Sequence, residues 1–323
     1  MKSVADIKVG YLCNNRCLHC AIGDMKRDLE QDGVSTDLTT EQVFQLLEQQ
    51  SKDADGCVLT GGEITLRKDC AQLINKAISL YKSVQIQTNG RRITQQLIDS
   101  ICDLKKCNFA VAVHGSQPIH DAITRVKNSY TQTVEGLKVL SRAHAETCLK
   151  FVLSRVNYKD IDHVVQLADQ LDFRRINIAY VHGCGDARVN IDQLLVPYEE
   201  IQPYVTRALE KSEQYGIFTD LETFPLCKID PRFYYCSDDV YMEKTVCTPV
   251  HEDSYDWEYA RKVQNKTKPK QCAKCFFRNI CEGHWSEYNL SEMQPMYTNR
   301  PPLSGPNEII IKKLKLMKAL AHE

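Results

Sequence analysis

Two short runs of cysteine carry most of the chemistry legible in this chain. Cys13, Cys17 and Cys20 stand in CNNRCLHC with the spacing C-x3-C-x2-C, and Cys272, Cys275 and Cys281 stand in QCAKCFFRNIC with the spacing C-x2-C-x5-C. Three thiolates on one short loop can wrap one face of a cuboidal iron–sulfur cluster and leave its fourth iron without a protein ligand. An open metal position separates a site that binds a substrate or cofactor from a purely structural one. The competing reading is structural zinc. On the first loop zinc would need His19 as its fourth ligand, too near Cys20 to complete a tetrahedron comfortably. On the second run a zinc knuckle is the serious rival, because spacing does not separate tetrahedral zinc from a 4Fe-4S ligand set.

The surroundings of these cysteines set the redox context. The chain has 323 residues and 15 cysteines, and its start, MKSVADIKVG, lacks an apolar stretch of signal-peptide length. A cytoplasmic location is expected, where thiols stay reduced and clustered cysteines serve as ligands or catalytic groups rather than disulfides. No apolar run approaches the 18 or so residues of a membrane helix. The net charge of -1, with 43% hydrophobic and 26% charged residues, gives no electrostatic reason to expect nucleic acid or an anionic membrane as a partner.

The elements that must position the first loop follow a βα rhythm from Asp6 to about Gly216. Strands are expected at Ile7–Leu12, Gly56–Thr60, Val84–Thr88, Phe109–His114, Leu149–Ser154 and Ile176–Val181. Between them, Cys70, Leu73, Ile74, Ala77, Ile78 and Tyr81 recur at helical spacing. Ile161, Val164, Val165 and Ala168 repeat the pattern, and Thr39 with Gln42 forms a capping box ahead of Val43, Leu46 and Leu47. A sixth helix near Ile201–Leu209 contains Pro203. The alternation predicts an α/β fold, a partial (β/α)6 TIM-type barrel, with the first cysteine loop at the carboxyl end of a strand, where such barrels place their active sites. After Gly216 the rhythm stops and Tyr, Cys, Asp and Pro become frequent. The expected division is a barrel over 1–216, a small cysteine-rich module over 217–300, and a linker and helix over 301–323. In that helix Ile310, Leu314 and Met317 share a face, read as docking on the barrel rather than on a membrane.

These motifs in this order resemble the radical S-adenosylmethionine superfamily over nearly the whole chain. In that family the C-x3-C-x2-C loop follows the first strand, an aromatic residue commonly precedes the third cysteine (here His19), and the second strand ends in Gly-Gly-Glu. This chain has Thr60, Gly61, Gly62 and Glu63 at that place, and Asn89 with Gly90 after strand three. The resemblance implies a 4Fe-4S cluster on Cys13, Cys17 and Cys20, with S-adenosylmethionine on its open iron. It also implies reductive cleavage of that cofactor to methionine and a 5'-deoxyadenosyl radical, which abstracts hydrogen from an unactivated carbon. His19, Gly61, Gly62, Glu63 and Asn89 are the implied cofactor contacts, the glycines because they let the backbone approach closely. Ser154 and Arg155 at the end of strand five are further candidates, although strand-end polar clusters are about as often structural. Ala112 stands where many relatives carry serine, so no contact is carried over to strand four.

The second run resembles the auxiliary-cluster modules called SPASM and twitch. In the full SPASM pattern another cysteine follows four residues after the third; here that position is Trp285. One auxiliary 4Fe-4S cluster on Cys272, Cys275 and Cys281 is therefore expected, with Cys227 as the first choice of fourth ligand, then Cys247, then Cys236, and His284 as another possibility. Cys236 or Cys247, if not a ligand, is a candidate hydrogen-atom donor. The remaining cysteines, Cys57, Cys70, Cys102, Cys107, Cys148 and Cys184, read as small buried hydrophobes.

The resemblance implies a peptide or protein substrate, crosslinked, oxidised or epimerised, with an external electron donor such as flavodoxin or ferredoxin. With the cluster loop beginning at residue 13, a leader peptide is expected to be held by the barrel, the module or a separate protein. A small metabolite as substrate is the alternative. A non-enzymatic metal-binding or redox-sensing protein accounts for the cysteines but not for GGE, TNG and six βα units falling in order.

Overall fold

The computed structural model describes residues 3–241, 244–287, 301 and 303–312. Strands β1 (Ser3–Lys8), β2 (Gly56–Thr60), β3 (Ser83–Thr88), β4 (Cys107–Ala112), β5 (Glu146–Leu153), β6 (Arg175–Tyr180) and β7 (Phe218–Glu222) lie side by side in chain order, all parallel. Strand β8 (Lys244–Thr248) joins the free edge of β1 in parallel, with Ser3 opposite Lys244, and β9 (Tyr255–Asp256) runs antiparallel to β8. The connecting helices are α1 (Gly23–Gln31), α2 (Thr40–Gln50), α3 (Cys70–Leu80), α4 (Gln95–Asp99), α5 (Gln117–Thr124), α6 (Ser129–Arg142), α7 (Ile161–Gln170), the short α8 (Asp186–Val189) and α9 (Ile191–Leu194), and α10 (Tyr198–Gln214).

The expected helix signals operate as read. Thr39 Oγ1 accepts the Gln42 amide at 3.2 Å while Gln42 Oε1 accepts the Thr39 amide at 2.8 Å, a complete capping box. In α3 the apolar stripe from Cys70 to Ile78 is buried, and each buried Leu or Ile contributes roughly 1.5–3 kcal/mol. Helix α10 runs through Pro203.

Alternation along the strands gives the sheet two different faces. Ile7, Leu59, Ile86, Phe109, Phe151, Ile178 and Leu221 are fully buried within the main core. The opposite face is polar. Lys8 bonds Asp6 at 2.6 Å, Thr60 bonds Gln87 at 3.0 Å, Gln85 bonds Asn108 at 3.3 Å, and Lys150 reaches past β6 to Glu222 at 3.4 Å. The partial barrel therefore has a polar interior.

Beyond Gly216, where the division between barrel and module was expected, the sheet continues through β7 and then through β8. The sequence hid this. FTDLE is a five-residue strand of alternating polarity, and a proline- and cysteine-rich stretch follows it instead of a helix. In the module, β10 (Lys266–Thr267) and β11 (His284–Trp285) pair antiparallel on either side of the second cysteine run. Buried Glu282 holds Arg261 at 2.5 Å and Lys266 at 2.8 Å there. Past the module, Ile310 is fully buried in a helix over 308–312, while Leu314 and Met317 lie outside the described residues.

Candidate functional site

The first cysteine loop leaves β1 at the carboxyl end of the sheet. Its path is set by backbone contact with the end of β2. The Gly62 amide donates to the Gly10 carbonyl at 2.7 Å, and the Glu63 amide to the Leu12 carbonyl at 2.8 Å. A Cβ on Gly61, whose φ is +125°, would stand 2.1 Å from the Gly10 oxygen; one on Gly62 would stand 2.2 Å from the Leu12 oxygen. Both glycines thus admit the cysteine loop itself.

Glu63 is 3% exposed and its carboxylate is engaged on both oxygens. Oε1 accepts the Thr65 amide at 3.1 Å and the Thr65 and Thr88 hydroxyls at 2.6 Å each, and Oε2 accepts the Asn89 amide at 2.6 Å. This carboxylate ties the end of β3 to the end of β2. Asn89 is aimed by it at the cysteine loop, where its Nδ2 donates to Asn14 Oδ1 at 2.7 Å and lies 3.9 Å from Cys13 Sγ. Arg91 fastens the same loop from outside, through the Asn14 carbonyl at 2.5 Å and Asn15 Oδ1 at 2.7 Å.

The three thiols are half-buried and near one another. Burial and then the neighbouring Cys20 and Cys13 push the Cys17 thiol far up; burial brings Cys20 up to about 11 and raises Cys13. No cationic side chain is among the main influences on Cys17. Positive charge between the sulfurs, of the kind an iron–sulfur cluster supplies, favours their ionised form. The donor set fits that group. His19 packs edge-on against His114 with ring centroids 4.5 Å apart, its Nδ1 is buried without a hydrogen-bond partner among the described residues, and burial lowers it to about 4. An uncharged imidazole with a free nitrogen therefore borders the loop.

At the end of strand five the two candidate residues make local contacts. Ser154 is fully buried, with its amide and hydroxyl both on Asn157 Oδ1 at 2.8 and 3.1 Å. Arg155 turns its Nε to the Leu195 carbonyl at 2.7 Å. Ser154 is occupied in holding the turn, and Arg155 braces it through Nε while about half of its side chain stays exposed.

The second cysteine run closes around one cavity lined by Cys227, Cys272, Cys275 and Cys281, with His284 at its edge. Burial pushes Cys227 up to about 12, with Cys272 and Cys275 adding to the shift. Cys236 and Cys247 are elsewhere, 2% and 5% exposed, Cys247 opposite Asp6 on the β8–β1 pair. Among the described residues, no three His, Cys, Asp or Glu side chains stand close enough together to hold a single metal ion. All fifteen cysteines are free thiols. Of the six read as small buried hydrophobes, Cys57, Cys70, Cys107 and Cys148 are buried, but Cys102 is exposed in the loop after α4 and Cys184 is half-buried. Cys184 lies in His182-Gly183-Cys184-Gly185 after β6, a glycine-flanked Cys-His pair at a strand's carboxyl end, which was the signal available in the sequence.

A partial parallel barrel with three thiols on its first loop and a glycine-carboxylate corner bracing them is the frame of an enzyme working at the carboxyl ends of its strands. The Radical SAM superfamily profile matches residues 7–168, and the chain belongs to that superfamily. Its members are enzymes that use a 4Fe-4S cluster and S-adenosylmethionine. The chain is 25% identical over 206 residues to the Fe-coproporphyrin III synthase of Methanosarcina barkeri, covering 62% of this chain and 49% of that protein. It is 28% identical to the mycofactocin maturase MftC of Mycolicibacterium smegmatis over 161 residues, covering 49% of this chain and 39% of that one. The matches thus span half or less of these relatives' lengths. In fold it is similar to Streptococcus suis SuiB bound to its precursor peptide SuiA, with TM-score 0.66, 14% identity, and 91% of this chain and 74% of that chain covered. Among the described residues no helix is long and apolar enough to cross a membrane.

Proposed function

We propose that this enzyme modifies a peptide or protein side chain by radical chemistry begun at the first cysteine loop. The observation that carries this reading is the set of three adjacent thiols fixed by the Gly61-Gly62-Glu63 corner and Asn89. Cys13, Cys17 and Cys20 would hold the 4Fe-4S cluster. His19 and Asn89 would border S-adenosylmethionine, with Gly61, Gly62 and Glu63 setting the loop that receives it and Ser154 and Arg155 holding the turn beyond β5. When bound, this pair supplies a carbon radical able to take hydrogen from an unactivated C–H bond. The chain's own residues orient the loop and keep the His19 face uncharged, and the polar barrel interior offers Lys8, Lys150 and Glu222 to a polar substrate.

Cys227, Cys272, Cys275 and Cys281 would hold a second 4Fe-4S cluster able to take an electron from a substrate radical. The kinship to the mycofactocin maturase and the fold shared with SuiB bound to its precursor peptide favour a peptide. A porphyrin-modifying relative keeps a small metabolite as the second reading. Fifteen free thiols suit the reducing cytoplasm, and the electrons would come from a flavodoxin- or ferredoxin-type donor.

Reconstituted protein given dithionite and S-adenosylmethionine should release 5'-deoxyadenosine, and Cys17→Ala should abolish the release; persistence in that variant refutes the mechanism. Peptides encoded beside its gene should then change in mass or stereochemistry. Turnover of a metabolite with every such peptide unaltered removes the peptide assignment.

A further inference from the structure

The loop after β6 carries a chain of contacts that the proposed function does not use. Cys184 Sγ lies 3.1 Å from His182 Nδ1, and His182 Nε2 lies 3.1 Å from Glu287 Oε1. The imidazole lies flat on the indole of Trp285, with ring centroids 3.8 Å apart and planes 16° from parallel. With its proton on Nε2, His182 donates to Glu287 and accepts the Cys184 S–H at Nδ1.

Two glycines make this possible. A Cβ on Gly183 would stand 2.8 Å from Glu287 Cγ, and Gly185, at φ +56°, has the Cys20 carbonyl oxygen 2.3 Å from where its Cβ would be. The Asp186 amide donates to that same Cys20 carbonyl at 2.8 Å. The loop bearing the thiol is thus bonded to the third cysteine of the first cysteine loop. The cysteine-rich module supplies the other half of the arrangement: Trp285 occupies the position where the resemblance anticipates a further cysteine, and two residues later Glu287 orients His182.

We propose that Cys184, positioned by His182 and Glu287, is a hydrogen-atom donor to a carbon radical formed on the substrate at the barrel mouth. The inference rests on the radical reading above and narrows its outcome to return of a hydrogen. The substrate radical takes the hydrogen atom of Cys184, so that a C–H bond forms, the S–H bond breaks and a thiyl radical remains. One electron from a low-potential iron–sulfur or flavin protein and one proton from solvent restore the thiol. The product keeps the mass of the substrate, with hydrogen delivered from the side of the β6 loop. Burial supports the assignment by pushing the thiol up to about 12, so that the sulfur carries its hydrogen at neutral pH. Cys184 is half-buried, whereas Cys236 and Cys247, the donors expected from sequence, are almost wholly enclosed.

The test uses the full-length reconstituted protein in deuterium oxide with dithionite and S-adenosylmethionine, the deoxyadenosyl group serving as the probe radical. Exchange makes the thiol S–D, and 5'-deoxyadenosine carrying deuterium is expected. In Cys184→Ala and Cys184→Ser the deuterium content per molecule of 5'-deoxyadenosine should fall several-fold, whatever amount each variant releases. Unchanged content in both variants, or no deuterium from the unaltered protein, overturns the assignment. Absence of 5'-deoxyadenosine altogether refutes the radical reading, and the inference falls with it. A second readout needs no turnover: alkylation of Cys184 by iodoacetamide, followed by peptide mass spectrometry, should slow several-fold when S-adenosylmethionine is added. A rate indifferent to that addition places the thiol away from the site and overturns the proposal.

Discussion

Replacing Glu63 by glutamine tests whether this buried carboxylate acts as a brace or as a cofactor ligand. The glutamine oxygen can occupy the Oε1 position and keep Thr65 and Thr88, which leaves its NH2 group facing the Asn89 amide that Oε2 now accepts at 2.6 Å. One buried N–H then loses its acceptor, at about 1–3 kcal/mol. The remaining bonds lose their charge assistance, which roughly doubles the strength of such bonds. Together these give a destabilisation of about 3 kcal/mol, roughly a hundredfold in the folding equilibrium. With m near 3 kcal/mol/M the urea midpoint by circular dichroism should fall by about 1 M. Thr88→Val, which removes a single donor, should cost about 1 kcal/mol. As Asn89 loosens, its contacts to Asn14 and Cys13 should loosen too, and iron retention on dilution should fall along with stability. A Glu63→Gln protein of unchanged stability, with weakened S-adenosylmethionine binding, refutes the brace and makes Glu63 a direct ligand.

Gly62→Ala places a methyl group 2.2 Å from the Leu12 carbonyl, so the loop must shift and two short backbone bonds lengthen; a loss of about 2–4 kcal/mol, seen by urea titration, and poorer iron loading are expected. If Cys227, Cys272, Cys275 and Cys281 hold a second 4Fe-4S cluster, total iron should be about eight per chain, and the double change Cys272→Ala with Cys275→Ala should bring it to about four. Stoichiometric zinc with iron unchanged in that variant establishes the zinc site instead. Asp121 accepts the Asn128 and Tyr130 amides and the Ser129 hydroxyl at 2.7–2.8 Å; burial works upward on it, but these bonds prevail and hold it below the usual aspartate range. Its contribution is therefore full above about pH 4 and is lost as pH falls through the depressed value. The stability difference between the unaltered protein and Asp121→Asn, measured by urea titration across pH 7 to 3, should shrink only at the acid end.

Much of the first site was legible because its determinants are local. The spacing of Cys13, Cys17 and Cys20, the strand before them and the Gly-Gly-Glu after the next strand are short patterns, and barrel topology brings the carboxyl ends of consecutive parallel strands together. The stripe in α3 and the capping box of α2 were readable for the same reason, each lying within about a dozen residues. The strand limits slipped by a few residues, as with β1, which ends at Lys8 rather than Leu12, because apolar residues continue into a loop that is itself packed against β2. What Gly61 and Gly62 approach, and what the Glu63 carboxylate holds beyond its neighbour Thr65, depended on residues roughly 25 to 50 positions away.

The strands β7, at one edge of the sheet, and β8, between β1 and the two-residue β9, escaped notice because both are short, carry little apolar character and are not followed by an amphipathic helix. Sequence ranked Cys227 above Cys247 and Cys236 as the companion of the second run, but only the folded chain puts Cys227 on the same cavity as Cys272, Cys275 and Cys281. The Cys184–His182 pair left a short signal in the sequence, but its joining to Trp285 and Glu287 left none. Composition and spacing fixed a thiol-rich barrel and its first cysteine loop, since those follow from periodicity and adjacency. The partners gathered from 100 residues apart were decided by tertiary structure, because long-range contacts depend on how the module folds back over the barrel mouth and leave no periodic trace in the chain.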